Sequence, residues 1–150
     1  MENILEVQKK AFLKEGPPSL EKRTDLLKRC VALIETHQEK IIKALNQDFQ
    51  NRSVDEIKIS EIDQTIRNIL FTIKKLNKWM QPQRRFSSLG TDLIGAKSFL
   101  QPSPLGTVGI IAPWNFPVGL IFYPLASIFA AGNRAMVKPS EITPATADII

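Results

Sequence analysis

The stretch "IIAPWNFPVGLIFYPL", residues 110–125, carries no charged side chain, and the uncharged run around it extends from Ser98 to Asn133. In a chain that is 23% charged, a segment of this kind is a membrane span, a buried helix or the lining of a crevice. A membrane helix needs about 20 continuous apolar residues. Here Pro102, Pro104, Pro113, Pro117 and Pro124 interrupt the run, which argues against a span. "TVGIIA", residues 107–112, reads instead as a buried strand: short, β-branched, and bounded by Gly106 and Pro113. Residues 117–131 read as a helix, with Pro117 suited to its first turn and Gly132 to the left-handed position after its end. "RAMVK", residues 134–138, reads as a second strand, and Thr143 with Pro144 as the start of another helix. Strand, helix, strand and helix at this spacing make a βαβ unit with a parallel pair of strands. On this reading the segment is apolar because both strand faces and much of the crossover helix are buried.

Upstream the period changes. Residues 3–80 read as helices. Pro17-Pro18 breaks the first, and Ser19 can cap the second. Thr36 with Glu39, and Ser53 with Glu56, have the spacing of capping boxes. After Ser53, the apolar residues Ile59, Ile62, Ile66, Ile69, Ile73, Leu76 and Met80 alternate three and four apart, one stripe on a long helix. Cys30 shares a helix face with Leu27, Val31 and Ile34, so it reads as a core thiol rather than a nucleophile, which would need an accessible, thiolate-stabilising setting. His37 falls at the start of the third helix and reads as a surface residue. Residues 86–104, with their Gly, Ser and Pro and short apolar runs, suit strands or a hairpin.

The bulk numbers narrow the function. At 150 residues and 43% hydrophobic, the chain can build one core. One cysteine excludes an internal disulfide framework, and one histidine excludes a His-cluster metal site. The net charge of +5 lies wholly in residues 1–85, interspersed with acids; beyond them Lys97, Arg134 and Lys138 balance Asp92, Glu141 and Asp148. No basic run is interleaved with aromatics, so a solvated helix surface explains the charge and nucleic acid is not an expected partner. The amphipathic start "MENILEVQKKAFLKEG" has no apolar core of a secretory signal, which makes a cytoplasmic location the expectation.

"PLGTVGIIAPWNFP", then "AAGN", then "VKPSE" resembles the aldehyde dehydrogenase superfamily, most closely its class 3-like branch with the coniferyl aldehyde dehydrogenases. The resemblance spans the whole chain, with its specific motifs confined to residues 104–144. It implies NAD-dependent, or NADP-dependent, oxidation of an aldehyde to a carboxylic acid through a cysteine thiohemiacetal, by an enzyme that is a homodimer or larger homo-oligomer. Asn115 matches the asparagine whose side-chain amide faces the oxyanion; a neutral, fixed donor suits charge that develops only during reaction. Lys138 and Glu141 match contacts to the adenosine ribose, with Ser140 between them. Ile111, Ala112, Pro113 and Trp114 match the wall beside the cofactor. A carboxylate at 141 disfavours a 2′-phosphate and so favours NAD, while Lys138 leaves NADP open. Neither a G-x-G-x-x-G fingerprint nor a phosphate-binding P-loop occurs.

The implied architecture is α/β: a helical part of the cofactor domain over residues 1–85, a strand or hairpin contributing to oligomerisation over 86–104, and the first βαβ part of a Rossmann-like domain, with an incomplete sheet, over 105–150. The family's nucleophilic cysteine and general-base glutamate lie downstream of such a segment and have no counterpart here. The chain therefore reads as the N-terminal part of a longer enzyme, expected to be inactive alone. The competing reading is a stand-alone, non-catalytic helical interaction module carrying a degenerate α/β remnant.

Overall fold

The computed structural model describes residues 2–86, 90 and 94–150. Part of the expected 86–104 hairpin lies outside them. In chain order the elements are α1 (Glu2–Glu15), α2 (Leu20–Thr36), α3 (Gln38–Phe49), α4 (Val54–Ile57) running through a π-helical turn (Lys58–Asp63) into α5 (Gln64–Trp79), β1 (Gln83–Arg85), β2 (Ser98–Leu100), β3 (Thr107–Ile111), α6 (Gly119–Ala130), β4 (Arg134–Lys138) and α7 (Pro144–Ile149). β3 and β4 pair in parallel, Thr107 opposite Arg134 through Ile111 opposite Lys138, with α6 as the crossover. β1 and β2 pair antiparallel, Gln83 opposite Leu100. The fold is the expected one, helices followed by a βαβ unit with incomplete sheets. No helix among the described residues is long and apolar enough to cross a membrane.

The core lies between α2, α5 and α6. Leu27, Ile34, Ile69, Leu76, Val118 and Ile121 are essentially inaccessible, and Cys30 lies among them. Arg23 is buried as well. Its Nη1 donates to the Ala130 carbonyl at 2.9 Å, at the end of α6, and its Nε to the Pro18 carbonyl at 2.9 Å. Gly132 takes the expected left-handed conformation (φ +86°), and a Cβ there would stand 2.7 Å from the Arg23 guanidinium. The pairing of a buried cation with an orphan carbonyl at the end of α6 satisfies both.

α1 ends at Glu15, with Gly16 at φ +71°, and Pro17-Pro18 lies in the break before α2, as expected. Three expectations give way to the structure. Thr36 is the last residue of α2 and His37, half-buried, is the junction, so the Thr36–Glu39 capping box does not form; the Ile41 N–H donates to the His37 carbonyl and the two helices run almost without a break. Ser53 stands at the start of α4 with no side-chain capping bond, and Glu56 instead accepts from Arg52 Nε at 3.1 Å. Finally, Ile59 is 66% exposed. The Gln64 N–H reaches back five residues to the Ile59 carbonyl, and this π turn inserts one residue into the helical register. Ile57 replaces Ile59 in the buried stripe, and Glu61 turns inward beside Ile62.

The strands are also less enclosed than the sequence suggests. Ile110 is buried, but Ile111, on the opposite face, is 83% exposed. A two-stranded sheet has too few neighbours to bury both its faces.

Candidate active site

Parallel pairing places the ends of β3 and β4 side by side. Ile111 lies opposite Lys138, and the Ala112 N–H donates to the Lys138 carbonyl at 3.0 Å, so the pairing continues one residue past the strand. The chain then leaves each strand through a loop: Pro113 to Val118 before α6, and Pro139 to Thr143 before α7. Open α/β sheets bind ligands at this carboxyl edge. The structure thus brings the two motif loops to one edge.

The first loop presents Trp114, half-exposed, and Asn115, exposed, to solvent. The Asn115 backbone carbonyl accepts from Arg52 Nη1 at 3.3 Å, and among the described residues its side-chain amide makes no hydrogen bond. An uncommitted carboxamide on an anchored backbone can donate to a ligand oxygen without first breaking a bond. Ala112 is buried, while Pro113 and Ile111 are exposed.

In the second loop, Lys138 and Glu141 are exposed and form an ion pair with each other. The Lys138 ammonium is the first cause, with the local backbone, that holds the Glu141 carboxyl below the usual carboxylate range, so it is ionised at neutral pH. Together they offer a donor and an acceptor within reach of one vicinal diol. Ser140 faces inward. It is buried, and its Oγ accepts from the Ile142 N–H at 3.2 Å, closing the turn that sets Lys138 and Glu141 on one side.

Three contributors escape sequence reasoning. Asp48, in α3, caps α7 from a distance: its carboxylate accepts from Ala145 N at 3.0 Å, Thr146 N at 2.8 Å and Thr146 Oγ1 at 2.6 Å. Thr143 occupies the capping position yet makes no side-chain capping bond. Arg52 and Glu61 hold the other loop. Glu61 has no exposed side-chain surface; Arg52 Nη1 donates to its Oε1 at 3.0 Å and Gly119 N to its Oε2 at 2.8 Å. Burial pushes the Glu61 carboxyl up, and these two donors oppose it. A row of Glu61, Thr65, Ile69, Thr72 and Leu76, all buried, was the available signal. Its polar members hid it from a search for apolar residues alone.

With this geometry in place, comparison with known proteins settles the family. The aldehyde dehydrogenase family model matches residues 1–150. The chain belongs to the aldehyde dehydrogenase family. It is 48% identical over 153 residues to the "Probable coniferyl aldehyde dehydrogenase" of Caulobacter vibrioides, covering 100% of this chain and 31% of that protein. It is 41% identical to the "Coniferyl aldehyde dehydrogenase" of a Pseudomonas species, covering 99% of this chain and 30% of that one. Among solved structures, the substrate-bound state of Staphylococcus aureus AldH superimposes with a TM-score of 0.91 at 33% identity, over 99% of this chain and 32% of that chain. The chain therefore spans about a third of the length of these aldehyde dehydrogenases, and corresponds to their N-terminal portion.

Proposed function

We propose that residues 1–150 form the N-terminal part of an NAD(P)-dependent aldehyde dehydrogenase that oxidises an aldehyde, of the aromatic coniferyl type, to its carboxylic acid. The observation that carries this reading is the β3–β4 register. It sets the "APWN" and "KPSE" loops at one carboxyl edge, with an uncommitted amide on the first and a donor–acceptor pair on the second. The substrate class rests on the two coniferyl aldehyde dehydrogenase relatives.

Asn115 donates its side-chain N–H to the oxygen of the thiohemiacetal formed when the enzyme's cysteine attacks the aldehyde. That cysteine and the general base belong to the remainder of the enzyme, and Cys30 is not a substitute: burial raises its pKa and keeps it a thiol. The residues at the sheet edge fit a dinucleotide. Lys138 would donate to, and Glu141 accept from, the ribose hydroxyls, and Ile111 with Ala112, Pro113 and Trp114 would wall one side. When bound, the nicotinamide supplies a hydride acceptor. Ser140 contributes by holding the turn. The β1–β2 pair, exposed along both strands with Phe99 and Leu100 uncovered, supplies an edge for assembly of the oligomer.

The test is Asn115→Ala in the complete enzyme. Loss of one oxyanion donor lowers the rate about 10²–10³-fold. Single-turnover formation of reduced cofactor measures the step directly. An unchanged rate, with the cofactor KM also unchanged, removes Asn115 from this role.

A further inference from the structure

Building on the reading of Asn115 above, we propose that the buried Arg52–Glu61 pair is a positioning device that fixes the Asn115 loop in its reactive geometry from the π turn behind it.

The pair touches the loop at three places. The Asn115 carbonyl accepts from Arg52 Nη1. The Phe116 ring lies under the same guanidinium, 4.8 Å from centroid to Cζ, and Phe49 covers its other contact at 5.1 Å. The Gly119 N–H, at the start of α6, donates to Glu61 Oε2. Residues 115, 116 and 119 are thus tied to one rigid unit rather than to each other. The guanidinium makes further contacts. Besides these contacts, its Nε donates to Glu56 and its Nη2 lies 3.5 Å from Ser60 Oγ, and its side chain is only 7% exposed.

A structural explanation alone accounts poorly for this arrangement. Burying an ion pair yields little stability compared with apolar residues of the same volume. The chain nonetheless places Glu61 inside a π turn, a feature that occurs often at functional sites. Without the inserted residue, Glu61 would not face the loop. Gly119 fits the same purpose. A Cβ there would press on the Tyr123 ring at 3.3 Å and lie in contact, at 3.5 Å, with Glu61 Oε2 and Thr65 Oγ1, so the position lets the backbone approach the carboxylate closely. What the pair gives is orientation. The Asn115 backbone is held by one charge-assisted hydrogen bond while its amide stays uncommitted. A displacement of about 1 Å in a reacting group can cost on the order of 100-fold in rate.

The inference is tested in the complete enzyme by a double-mutant cycle of Glu61→Gln and Asn115→Ala, with Arg52→Lys as a parallel variant that keeps the charge and loses the fork. Single-turnover rates and the KM values for aldehyde and cofactor are read for each. Glu61→Gln and Arg52→Lys are each expected to slow the single-turnover rate by about 10-fold to 100-fold with the cofactor KM unchanged. In the Asn115→Ala background, Glu61→Gln is expected to have almost no further effect, because the group it positions is gone. Equal slowing in both backgrounds overturns the inference while leaving Asn115 in its role. A rate unchanged by Glu61→Gln and Arg52→Lys overturns it too. An unaffected Asn115→Ala enzyme instead refutes the oxyanion reading itself. Should Glu61→Gln fail to fold, the same cycle run with Arg52→Lys decides.

Discussion

Asp48→Ala should loosen the start of α7 and, with it, the "KPSE" loop. In the native structure one carboxylate serves three donors: Ala145 N, Thr146 N and Thr146 Oγ1. Loss of an N-cap acceptor costs about 0.5–2 kcal/mol, and a hydrogen bond to a charged group contributes about 1.5–3 kcal/mol. Ala145 is half-buried and water can replace its partner, but Thr146 is fully buried and its two donors would be left unsatisfied. The expected cost is therefore about 2–4 kcal/mol. α7 is only six residues long and has no helical stability of its own to absorb the loss. Asp48→Asn keeps one acceptor and can donate its amide to Thr146 Oγ1, so it should cost roughly half as much. Amide hydrogen exchange is the assay, because it resolves local opening from global unfolding. Exchange in residues 144–149 of Asp48→Ala should accelerate by about 30-fold or more, at about 1.4 kcal/mol per tenfold, with Asp48→Asn intermediate. The cofactor KM should rise while the single-turnover rate at saturation holds. Unchanged exchange in 144–149 would show that Thr143, or the contact between α3 and α7, carries the helix start, and would refute the remote cap.

Two further outcomes follow from the site. Glu141→Gln should raise the NADP-to-NAD ratio of kcat/KM several-fold, because repulsion of a 2′-phosphate is lost while Lys138 remains; the effect should shrink at high salt, and an unchanged ratio would place Glu141 away from the ribose. Cys30, whose pKa is raised by burial, should react slowly with iodoacetamide at pH 8 in the native state and rapidly in denaturant, and Cys30→Ala should keep the single-turnover rate of the complete enzyme; fast native labelling would refute its placement in the core.

What the sequence shows depends on how local the physics is. The βαβ order, the left-handed Gly132 and the Ser19 cap, whose side chain accepts from Lys22 N at 3.3 Å, are each set within a few residues and were legible. The adjacency of the two motif loops follows from that order, since parallel strands put their carboxyl ends together. The Cys30 face was legible because α-helical periodicity holds throughout α2. It fails at Ile59, since an i→i−5 bond has no signature in an apolar pattern, and one inserted residue rotates everything before it. Capping was misread for a different reason. Ser53 and Thr143 have the correct type and position, but Arg52 takes Glu56 and Asp48 takes the α7 donors, and a partner distant in sequence leaves no local mark.

The helical half is more than a base for the sheet, because one short segment braces both the Asn115 loop and the start of α7. Asp48 and Arg52 flank the end of α3, where the Asn51 N–H donates to the Phe49 carbonyl at 2.7 Å and Gln50 takes φ +62°, ψ −43°. That is a γ-turn of the strained hand, one of the described non-glycine residues' rare visits to positive φ. Strain of this kind persists only where surrounding contacts over-determine it. Here they do. Asp48 is held by three donors of α7 on one side, and Arg52 by Glu61, Glu56 and two aromatic rings on the other. Reversing the chain so sharply is what lets a carboxylate and a guanidinium four residues apart serve the start of α7 and the Asn115 loop respectively. Each loop holds a separate half of the proposed chemistry, the oxyanion donor and the ribose contacts, so their relative placement matters as much as the order within either. A single turn, tied to the Asn115 loop through Arg52 and to the start of α7 through Asp48, links the two.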